Sequence, residues 1–342
     1  MTHLSKDYNV IYLENTGFRN PKVKDWKRII SIFKKNNKYV NPKPSNLVVV
    51  KPVIFPPNGI IFRLLNKYIF IPLLIRKIKS LGFNERDIAF IYLPSFTSIE
   101  LLRQLSPSKV IFDCVANFSD HNEKPKDYDR IISQLMKIVD TVITDSNLLY
   151  TQYNNMHHNV HQLHQGVNTE KFKYQEPYIN EFRSICFFGA IDDRIDWGYM
   201  DILEQNGVKV DLIGAVKSAN IPNRYTIKGP FKQDELFCEI NKYDAFIIPY
   251  KLSSFADGII PAKIFECLAI GKPLLASRLP SLEPYNDVIY LCETPEDFKN
   301  AFNNLKNTEN EEKRKRRRLI AEMNSVNNSL SHLDDIITRC YK

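Results

Sequence analysis

Short runs of apolar residues recur along the chain, and segments with apolar positions at helical spacing lie between them. The short runs predict buried strands, and the longer segments predict helices with one apolar stripe each. This alternation favours the α/β class, with a parallel sheet covered by helices on both faces. The predicted strands are Tyr8–Leu13, Leu47–Val53, Ile88–Leu93, Val110–Asp113, Thr141–Ser146, Ser184–Gly189, Val208–Gly214, Ala245–Pro249 and Leu274–Ser277. The predicted helices lie within Thr16–Lys35, Ile60–Leu81, Thr97–Leu105, Tyr128–Val139, Asp234–Lys242, Ala262–Ile270, Thr294–Leu305 and Asn324–Cys340.

The segment Asp257–Pro273 (DGIIPAKIFECLAIGKP) carries signals for a helix and for both of its ends. Pro261 suits a first turn, because the N–H that proline lacks would have no partner there. Ala262–Ile270 then shows an apolar stripe at helical spacing. Gly271 suits the left-handed position after a helix, and Pro273 prevents the helix from continuing.

Two polar residues give this helix a chemical meaning. Lys263 lies in the first turn, beside the free N–H groups and the positive end of the helix dipole, which favour a diphosphate. Glu266 follows one turn later on the same face, and its carboxylate can accept hydrogen bonds from the two hydroxyls of a ribose. The alternative is an ion pair of these two residues on a solvated face. The nucleotide is favoured because a buried strand and a loop (Tyr243–Gly258) precede the helix, and ligands of open α/β sheets bind off the carboxyl ends of strands.

The pattern P-x-K-x-F-E-x-L-A-x-G-K-P, after a strand that ends in I-P-Y, resembles the donor-binding signature of GT-B nucleotide-sugar glycosyltransferases. It most resembles the capsule or teichuronic-acid type, near families 1 and 4. The resemblance implies a GT-B fold of two Rossmann-like domains facing a cleft, with Lys263 on the donor diphosphate and Glu266 on the ribose. Many retaining members carry a further glutamate where this chain has Gly258. The predicted donor-binding residues of this loop are Asp257, Gly258 and Ile259.

A second donor contact is expected where the strand Ser184–Gly189 ends. The residues that follow resemble the family's Y-x-G-x-I turn, where backbone N–H groups and a basic residue meet the donor diphosphate. The resemblance therefore assigns Gly189 and Arg194 to the donor site, since the guanidinium is a fixed fork for phosphate oxygens. The alternative for Arg194 is a surface pair with Asp192 or Asp196.

The first half of the chain contains the candidates for acid–base chemistry. Asp113–His121 (DCVANFSDH) begins at the end of a predicted strand and is expected to face the cleft. An inverting transferase needs a carboxylate or imidazole that takes the proton of the acceptor hydroxyl. Asp113, Asp120 and His121 are the predicted catalytic residues, with capping of the strand end as the alternative role. Asn117 stands where the resembling family has an acid.

The resemblance also predicts the domain organisation. His164–Asn168 is similar to the family's P-x-G-V-D, which closes the first domain. The N-terminal, acceptor-side domain is expected over residues 1–168, with a C-terminal helix at 325–342 that crosses back to it, and the donor-binding domain over 169–324. The first predicted strand comes early, and the few residues before it resemble the end of a helix. The first βα unit of the fold is therefore expected to be missing, either because the start is assigned too far downstream or because the protein lacks that unit.

Length and composition limit the domain number and the kinds of ligand that the protein can have. A length of 342 residues suits two α/β domains. The six cysteines have no metal-ligand spacing, so we expect no metal site, and we expect buried thiols at Cys114, Cys186 and Cys267. The net charge of +8 suits an anionic partner, but no nucleic-acid-binding motif is present. No signal peptide or bilayer-spanning run is recognised, so a cytoplasmic protein is expected.

Two basic segments have features that would suit contact with a membrane surface. Ile60–Leu81 is apolar but interrupted by five cations, which favours a helix in the headgroup region over a spanning one. The alternative is a core-packing helix with a solvated basic edge. Asn307–Arg318 is strongly charged, and a solvated helix face or a phospholipid contact is expected there. Peripheral association with the inner face of the plasma membrane is the resulting hypothesis.

Together, these observations predict a metal-independent hexosyltransferase that uses no cofactor. The donor substrate is a nucleoside diphosphate sugar, and the acceptor is a polysaccharide or lipid-linked glycan of the cell surface. Two alternatives stay open: a nucleotide-sugar epimerase with the same fold, and a non-catalytic partner subunit that binds sugar nucleotides.

Overall fold

The computed structural model of the protein describes residues 4–14, 44–55, 59–120, 124–174, 181–217 and 221–341. The chain divides into two compact units. Unit 1 comprises Met1–Thr144, Leu149–Gln162 and Ile336–Lys342. Unit 2 comprises Asp145–Leu148 and Leu163–Asp335. The helix predicted within Thr16–Lys35 lies outside the described residues.

Unit 1 contains two parallel sheets. One pairs β1 (Val10–Leu13) with β2 (Leu47–Val50). The other has the order β3-β4-β5-β6 and is made of Ile88–Ile91, Lys109–Cys114, Thr141–Thr144 and Val160–Gln162. The helices of this part of the chain are α1 (Ile60–Leu65), α2 (Ile71–Ser80), α3 (Phe96–Leu105), α4 (Tyr128–Leu135) and α5 (Asn147–Asn154), with short 3₁₀ turns at Leu4–Lys6 and Phe118–Asp120.

Unit 2 is built on one parallel sheet of six strands. The strands are β7 (Ser184–Phe188), β8 (Lys209–Ile213), β9 (Thr226–Lys228), β10 (Ala245–Ile248), β11 (Leu274–Ser277) and β12 (Tyr290–Cys292). The helices are α6 (Trp197–Gln205), α7 (Gln233–Ile240), α8 (Ser254–Asp257), α9 (Lys263–Ile270), α10 (Pro295–Thr308) and α11 (Glu311–Met323), with a 3₁₀ turn at Pro280–Tyr285. The last helix, α12 (Val326–Tyr341), belongs to unit 2 as far as Asp335 and to unit 1 from Ile336.

The strand order of unit 2 is β12-β11-β10-β7-β8-β9. Counted from β7 as the first strand, this is the doubly wound order 3-2-1-4-5-6 of a Rossmann fold. β7 and β10 are neighbours at the point where the order reverses. Both are fully or almost fully buried, because helices cover the two faces of a parallel sheet, and the continuous apolar runs of the sequence reflect this burial.

Helix α9 is the helix predicted from the Asp257–Pro273 segment. It begins at Lys263, one residue later than predicted, with Ala262 at its N-cap. Its apolar stripe is fully buried, and Gly271 ends the helix with φ of +84°, as predicted from the glycine at that place.

The predicted helix over Ile60–Leu81 consists of three pieces. A π-helical turn, Asn66–Phe70, separates α1 from α2. Asn66 is buried in this turn, and its side chain exchanges two hydrogen bonds with the backbone of Phe55, at 2.9 and 2.8 Å. The wider π-helical turn points the Asn66 amide toward Phe55, whereas a regular α-helical turn of the same sequence would point it in another direction.

The basic run Lys313–Arg318 lies in α11, and most of its charges are paired inside unit 2. Arg317 is fully buried, in an ion pair with Glu309, which is also fully buried. The run's contacts are Lys313 with the Tyr290 ring, Arg314 with Glu311, Arg316 with Asp287, Arg317 with Glu309 and the carbonyls of Val288 and Gly271, and Arg318 with Glu322 and the carbonyls of Thr169, Phe172 and Ala269. The solvated face expected here is therefore wrong for Arg314, Arg317 and Arg318, which hold neighbouring segments of the fold, whereas Lys315 and Arg316 are exposed.

Other differences from the sequence predictions are smaller. The predicted helix Tyr128–Val139 ends at Leu135, and the residues after it form a turn that leads into β5. The thiols of Cys114, Cys186 and Cys267 are free and buried, as expected. Within the described ranges, no helix combines the length and the apolar character that crossing a bilayer would require.

Candidate functional site

The carboxyl ends of β7 and β10 define the candidate site of unit 2. Ligands of doubly wound sheets bind outside the point where the strand order reverses, and these two strands meet there. Lys263 reaches the same place from the first turn of α9. Its Nζ lies 3.8 Å from the ring centroid of Phe187 in β7 and 5.3 Å from that of Tyr250, just beyond β10.

Gly189 lets the backbone pass close to this ammonium group. The residue has φ of +126°, a conformation that favours glycine, and a Cβ atom placed on it would lie 2.7 Å from Lys263 Nζ. Gly214, at the end of β8, is equally constrained, because its Cβ would lie 1.9 Å from the Gly189 carbonyl oxygen. The turn predicted to meet the diphosphate is therefore directly beside the predicted cation.

No acid of the described residues contacts Lys263, although the charges of Glu266 and Asp192 act on it from beyond ion-pair distance. Lys263 forms no hydrogen bond or ion pair with a described residue, and two aromatic rings contact its ammonium group. Burial lowers the pKa of Lys263 to about 7, because removal of water penalises the charged form. An anion at this place would restore the charged form.

Glu266, one turn after Lys263 on α9, is the acidic group of the candidate site. The side chain is half-buried, makes no hydrogen bond with a described residue, and has its pKa raised to about 7 by burial. No ion pair within 4.0 Å joins it to Lys263. The two charges act on each other, but Lys263 and Glu266 form no close ion pair, and both are partly desolvated, unlike the solvated pair considered from the sequence.

Arg194 lies at the edge of the same site. Its guanidinium forms two hydrogen bonds with Asp192, at 2.9 and 2.7 Å, and lies 5.1 Å from the ring centroid of Tyr250. The surface pair considered from the sequence is therefore present, with Asp192 as the partner. The same pair fixes the guanidinium over the ring that also contacts Lys263, so that two cations share one aromatic side chain.

The loop before α9 is held by hydroxyl groups from other parts of unit 2. Asp257 ends the short helix α8, and Gly258 and Ile259 follow in an irregular segment. Ser146 Oγ donates to the Gly258 carbonyl at 3.2 Å, and Ser281 Oγ donates to the Ile259 carbonyl at 2.7 Å. These carbonyl groups are thus occupied, and the donor role predicted for the three residues stays a prediction.

The predicted catalytic residues belong to unit 1. Asp113 lies near the end of β4, without a hydrogen bond or ion pair to any described residue, and burial raises its pKa to about 6. Burial and the nearby Asp113 charge raise the pKa of Tyr92. Asp120 is exposed and accepts a hydrogen bond from Asn117 Nδ2 at 3.0 Å. His121 lies outside the described residues.

Sequence reasoning missed the aromatic rings of the donor side. Phe187 and Tyr250 both stand near the carboxyl ends of the strands that flank the reversal point, and this position was a usable signal. Gly166 lies in the segment His164–Asn168 and meets another part of the backbone. A Cβ on Gly166 would lie 2.5 Å from Val326 Cα, so that this glycine admits the backbone at the start of α12.

A metal site is not found in the described ranges, where no group of three or more His, Cys, Asp or Glu side chains could hold an ion. The histidines that follow α5 instead contact the protein itself. His157 Nε2 lies 3.1 Å from the Val139 carbonyl oxygen, and His164 Nδ1 lies 2.6 Å from that of Asp145.

No protein-family model matches the chain, and no curated protein sequence matches it. Solved structures nevertheless share its fold. Anabaena HepE in complex with UDP and glucose is 12% identical, with a TM-score of 0.64 that covers 97% of this chain and 99% of that one. A UDP-forming trehalose-phosphate synthase from Burkholderia xenovorans is 10% identical, with a TM-score of 0.59 over 97% and 98%. S. aureus TarM, in complex with fondaparinux, alpha-GlcNAc-glycerol and UDP, is 12% identical, with a TM-score of 0.58 over 80% and 59%.

The class of fold follows from the topology and these likenesses together. The chain has an α/β fold of the GT-B type with Rossmann-like units, as the sequence predicted. At these identities the likeness establishes the fold, and the chemistry must be argued from the site.

Proposed function

We propose that the protein is a glycosyltransferase that takes a sugar from a UDP-sugar. The observation that carries this proposal is a pair of partly desolvated charged groups at the reversal point of the unit 2 sheet, neither of which has a hydrogen bond or ion pair with a described residue. Lys263 and Glu266 stand one turn apart on α9, with burial shifting both pKa values to about 7. A nucleoside diphosphate supplies both missing partners, because its phosphates are anionic and its ribose hydroxyls donate hydrogen bonds.

Each residue of the site has a distinct role in this proposal. Lys263 and Arg194 bind the diphosphate together with the N–H groups of the Gly189 turn and of the start of α9. Glu266 binds the ribose, and Asp257, Gly258 and Ile259 border the sugar. As the glycosidic bond breaks, negative charge develops on the leaving UDP, and the two cations stabilise it. The same cations take the role of a metal ion, so we expect transfer that persists in chelator.

Uridine is favoured by the ligands of the similar structures. HepE and TarM were each solved with UDP, and the Burkholderia enzyme is UDP-forming. We extend the proposal to a hexose as the sugar and to a polysaccharide or lipid-linked glycan of the cell surface as the acceptor. A capsule-type pathway and a cytoplasmic location belong to the same proposal.

Asp113 is the favoured general base. Its carboxyl is buried and unpaired among the described residues, and a pKa of about 6 leaves it ionised at neutral pH but basic enough to accept a proton. Asp120 is exposed and engaged with Asn117, so that it is the weaker candidate.

Titration calorimetry with UDP tests the donor site. Glu266→Gln should weaken UDP binding by about 1–3 kcal/mol, the range for loss of a charged hydrogen bond. The matched control is Glu312→Gln, which removes an exposed carboxylate on α11 and should leave the affinity unchanged. Equal UDP affinity in folded Glu266→Gln and in the unaltered protein would remove the site assignment.

A product assay separates this function from its alternatives. A transferase should release UDP from UDP-sugar only when a glycan acceptor from membrane extract is present. An epimerase would alter the sugar of the donor without acceptor, and a non-catalytic partner would bind UDP-sugar and form no product in either mixture.

A further inference from the structure

Unit 1 carries an apolar surface that no described element covers. Ile60, Ile61 and Tyr68 are 77%, 69% and 68% exposed. Soluble proteins seldom leave a run of large apolar side chains in water without a partner. We call this surface the apolar patch, and its members are Val53, Phe55, Ile60, Ile61, Phe62, Leu64, Tyr68, Ile69 and Leu73.

The two helices of the patch are held in different ways. Helix α2 is anchored from behind, since its residues Ile71, Leu74 and Ile78 are buried. Helix α1 has no buried residue and is held by Arg63, whose guanidinium donates to Asp127 Oδ1 at 2.7 Å. Asn66 ties the preceding segment to the helix through its hydrogen bonds with the Phe55 backbone, and it also donates to Thr97 Oγ1 at 3.2 Å. The exposed side chains therefore lie on a supported element, and their exposure is a feature of the fold.

Aromatic packing also holds Phe55, at the edge of the patch, in place. The Phe55 ring centroid lies 5.1 Å from that of Phe62 and 5.2 Å from that of Phe70. These contacts join the segment before α1 to α1 itself and to the last residue of the π-helical turn, so that Phe55 is held against the apolar side chains of α1.

The segment that carries most of the patch has charges of a single sign. Residues 59–84 contain five cations and no acid. Arg63, Lys67 and Lys79 pair with acids from other segments of unit 1, which are Asp127, Glu100 and Glu85. Arg76 and Lys77 are exposed and make no ion pair with a described residue, and they follow Leu73 by about one helical turn. An exposed apolar face that continues into unpaired cations is the pattern of a helix that lies in an anionic lipid interface.

We propose that the apolar patch, together with Arg76 and Lys77, docks unit 1 onto an anionic lipid bilayer. The apolar side chains enter the boundary between headgroups and acyl chains, and the two cations contact lipid phosphates. A bilayer is favoured over a protein partner because the patch has no acid or acceptor pattern to pair with one, and because the whole chain has a net charge of +8. This proposal does not depend on the donor site of unit 2.

Vesicle flotation tests it with phosphatidylcholine vesicles made with and without phosphatidylglycerol. The unaltered protein should float with the anionic vesicles and much less with the neutral ones. Ile61→Ser with Leu64→Ser should lower partitioning at least about tenfold, because two apolar side chains no longer leave water. Arg76→Gln with Lys77→Gln should lower it about fivefold for each cation at low salt, and high salt should abolish that difference.

Matched substitutions in unit 2 provide the controls. Leu319→Ser with Met323→Ser removes two comparably exposed apolar side chains from α11, and Lys306→Gln with Lys315→Gln removes the same charge. Both controls should float like the unaltered protein. Circular dichroism and the thermal unfolding midpoint should be the same for all variants, so that loss of flotation reports the surface.

Four results would overturn the proposal. One is flotation that is equal for neutral and anionic vesicles and for all variants. Another is competition by soluble glycerol phosphate, which would indicate a small anion site. The third is self-association in sedimentation that the patch substitutions abolish, without vesicle binding, which would make the patch an interface between copies. The fourth is flotation that survives the patch substitutions but is lost when residues 15–43 are deleted.

Discussion

Lys263 and Glu266 are informative because each is held in an environment that favours its neutral form. A lysine ordinarily keeps its charge up to pH values near 10, and a glutamate keeps its charge down to values near 4. Burial moves both pKa values to about 7 in this protein. A site that keeps such groups without internal partners is prepared for a ligand that restores both charges, and this is the physical basis for the donor assignment.

The affinity for UDP should therefore pass through a maximum near pH 7. Above that pH, Lys263 is neutral in the free protein, and binding a phosphate requires proton uptake. Below it, Glu266 is protonated, and accepting ribose hydroxyls requires proton release. Each requirement weakens binding by up to about tenfold per pH unit, since one pKa unit is 1.36 kcal/mol. Calorimetry between pH 5.5 and 8.5, about the range that brackets both groups, measures the profile.

Glu266→Gln separates the two limbs of that profile. The amide does not titrate, so the weakening that Glu266 causes on the acid side should disappear, while the alkaline limb from Lys263 remains. The phosphate of UDP itself titrates near pH 6 and contributes equally in both proteins. An unchanged acid limb in the variant would assign that limb to the ligand and count against Glu266.

Gly189→Ala should disturb the site by placing a side chain against the ammonium group of Lys263. The new Cβ would meet Lys263 Nζ at 2.7 Å, in a backbone conformation that L-residues rarely adopt. We expect the ammonium group to be displaced and UDP affinity to fall, in addition to strain of about 1–3 kcal/mol in the free energy of unfolding. Gly207→Ala is the matched control, because that glycine also has a positive φ but open space around its Cβ position. It should lose stability and keep its UDP affinity.

At the scale of elements, helix α9 is fixed at its C-terminal end by the basic run of α11. Arg317 Nη1 donates to the Gly271 carbonyl at 3.1 Å, and Arg318 Nη1 donates to the Ala269 carbonyl at 3.3 Å. The last carbonyl groups of a helix lack partners within it, and cations there also complement the helix dipole. The run thus anchors the helix that carries Lys263 and Glu266 at its other end.

Arg317→Ala should destabilise the protein by about 3–5 kcal/mol, because it leaves Glu309 buried without its cation. Arg316→Ala is the control, since its pair with Asp287 is partly exposed and should contribute less than about 1 kcal/mol. Denaturant unfolding measures both. A cost below about 1 kcal/mol for Arg317→Ala would show that the buried pair is not what anchors the segment.

These elements also show what could be predicted from the sequence. Every strand predicted within the described ranges overlaps an observed one, because apolar runs between helical segments directly reflect burial on both faces of a sheet, whereas the short strands β6, β9 and β12 were not predicted. Gly271 marked the end of α9 through its backbone freedom, and the donor role of Lys263 and Glu266 stays a prediction from their chemistry. Each of these signals is local in the sequence.

What could not be predicted depends on contacts between distant segments. The basic run of α11 has the composition of a solvated face, and only the fold brings Glu309, Val288 and Gly271 around Arg317. The π-helical turn at Asn66 likewise depends on the Phe55 backbone, eleven residues earlier in the chain. Phe187 and Tyr250 belong to strands far apart in sequence, and they contact one ammonium group only because their strands are neighbours in the sheet.

At the scale of the whole molecule, the two units carry different chemistry. Unit 2 holds cations and an acid suited to a nucleoside diphosphate, whereas unit 1 holds the buried Asp113 and the apolar patch. The similar structures retain this fold at 10–12% identity, so the arrangement of strands is more persistent than the residues on it. Binding of donor and removal of the acceptor proton should therefore respond to separate substitutions.

Asp113→Asn tests that separation. The variant should bind UDP with unchanged affinity, because the donor groups lie in unit 2, but its kcat should fall by about 10²–10⁴-fold if Asp113 takes the acceptor proton. In the unaltered protein the rate should rise with pH through a value of about 6, since the carboxylate must be ionised to act as a base, and this limb should be absent from the residual activity of the variant. Asp120→Asn is the control and should keep both the rate and its pH limb. The reverse outcome, a normal rate in Asp113→Asn and a lost one in Asp120→Asn, would transfer the role to the exposed acid, and a parallel loss of UDP affinity in Asp113→Asn would contradict the division of labour itself.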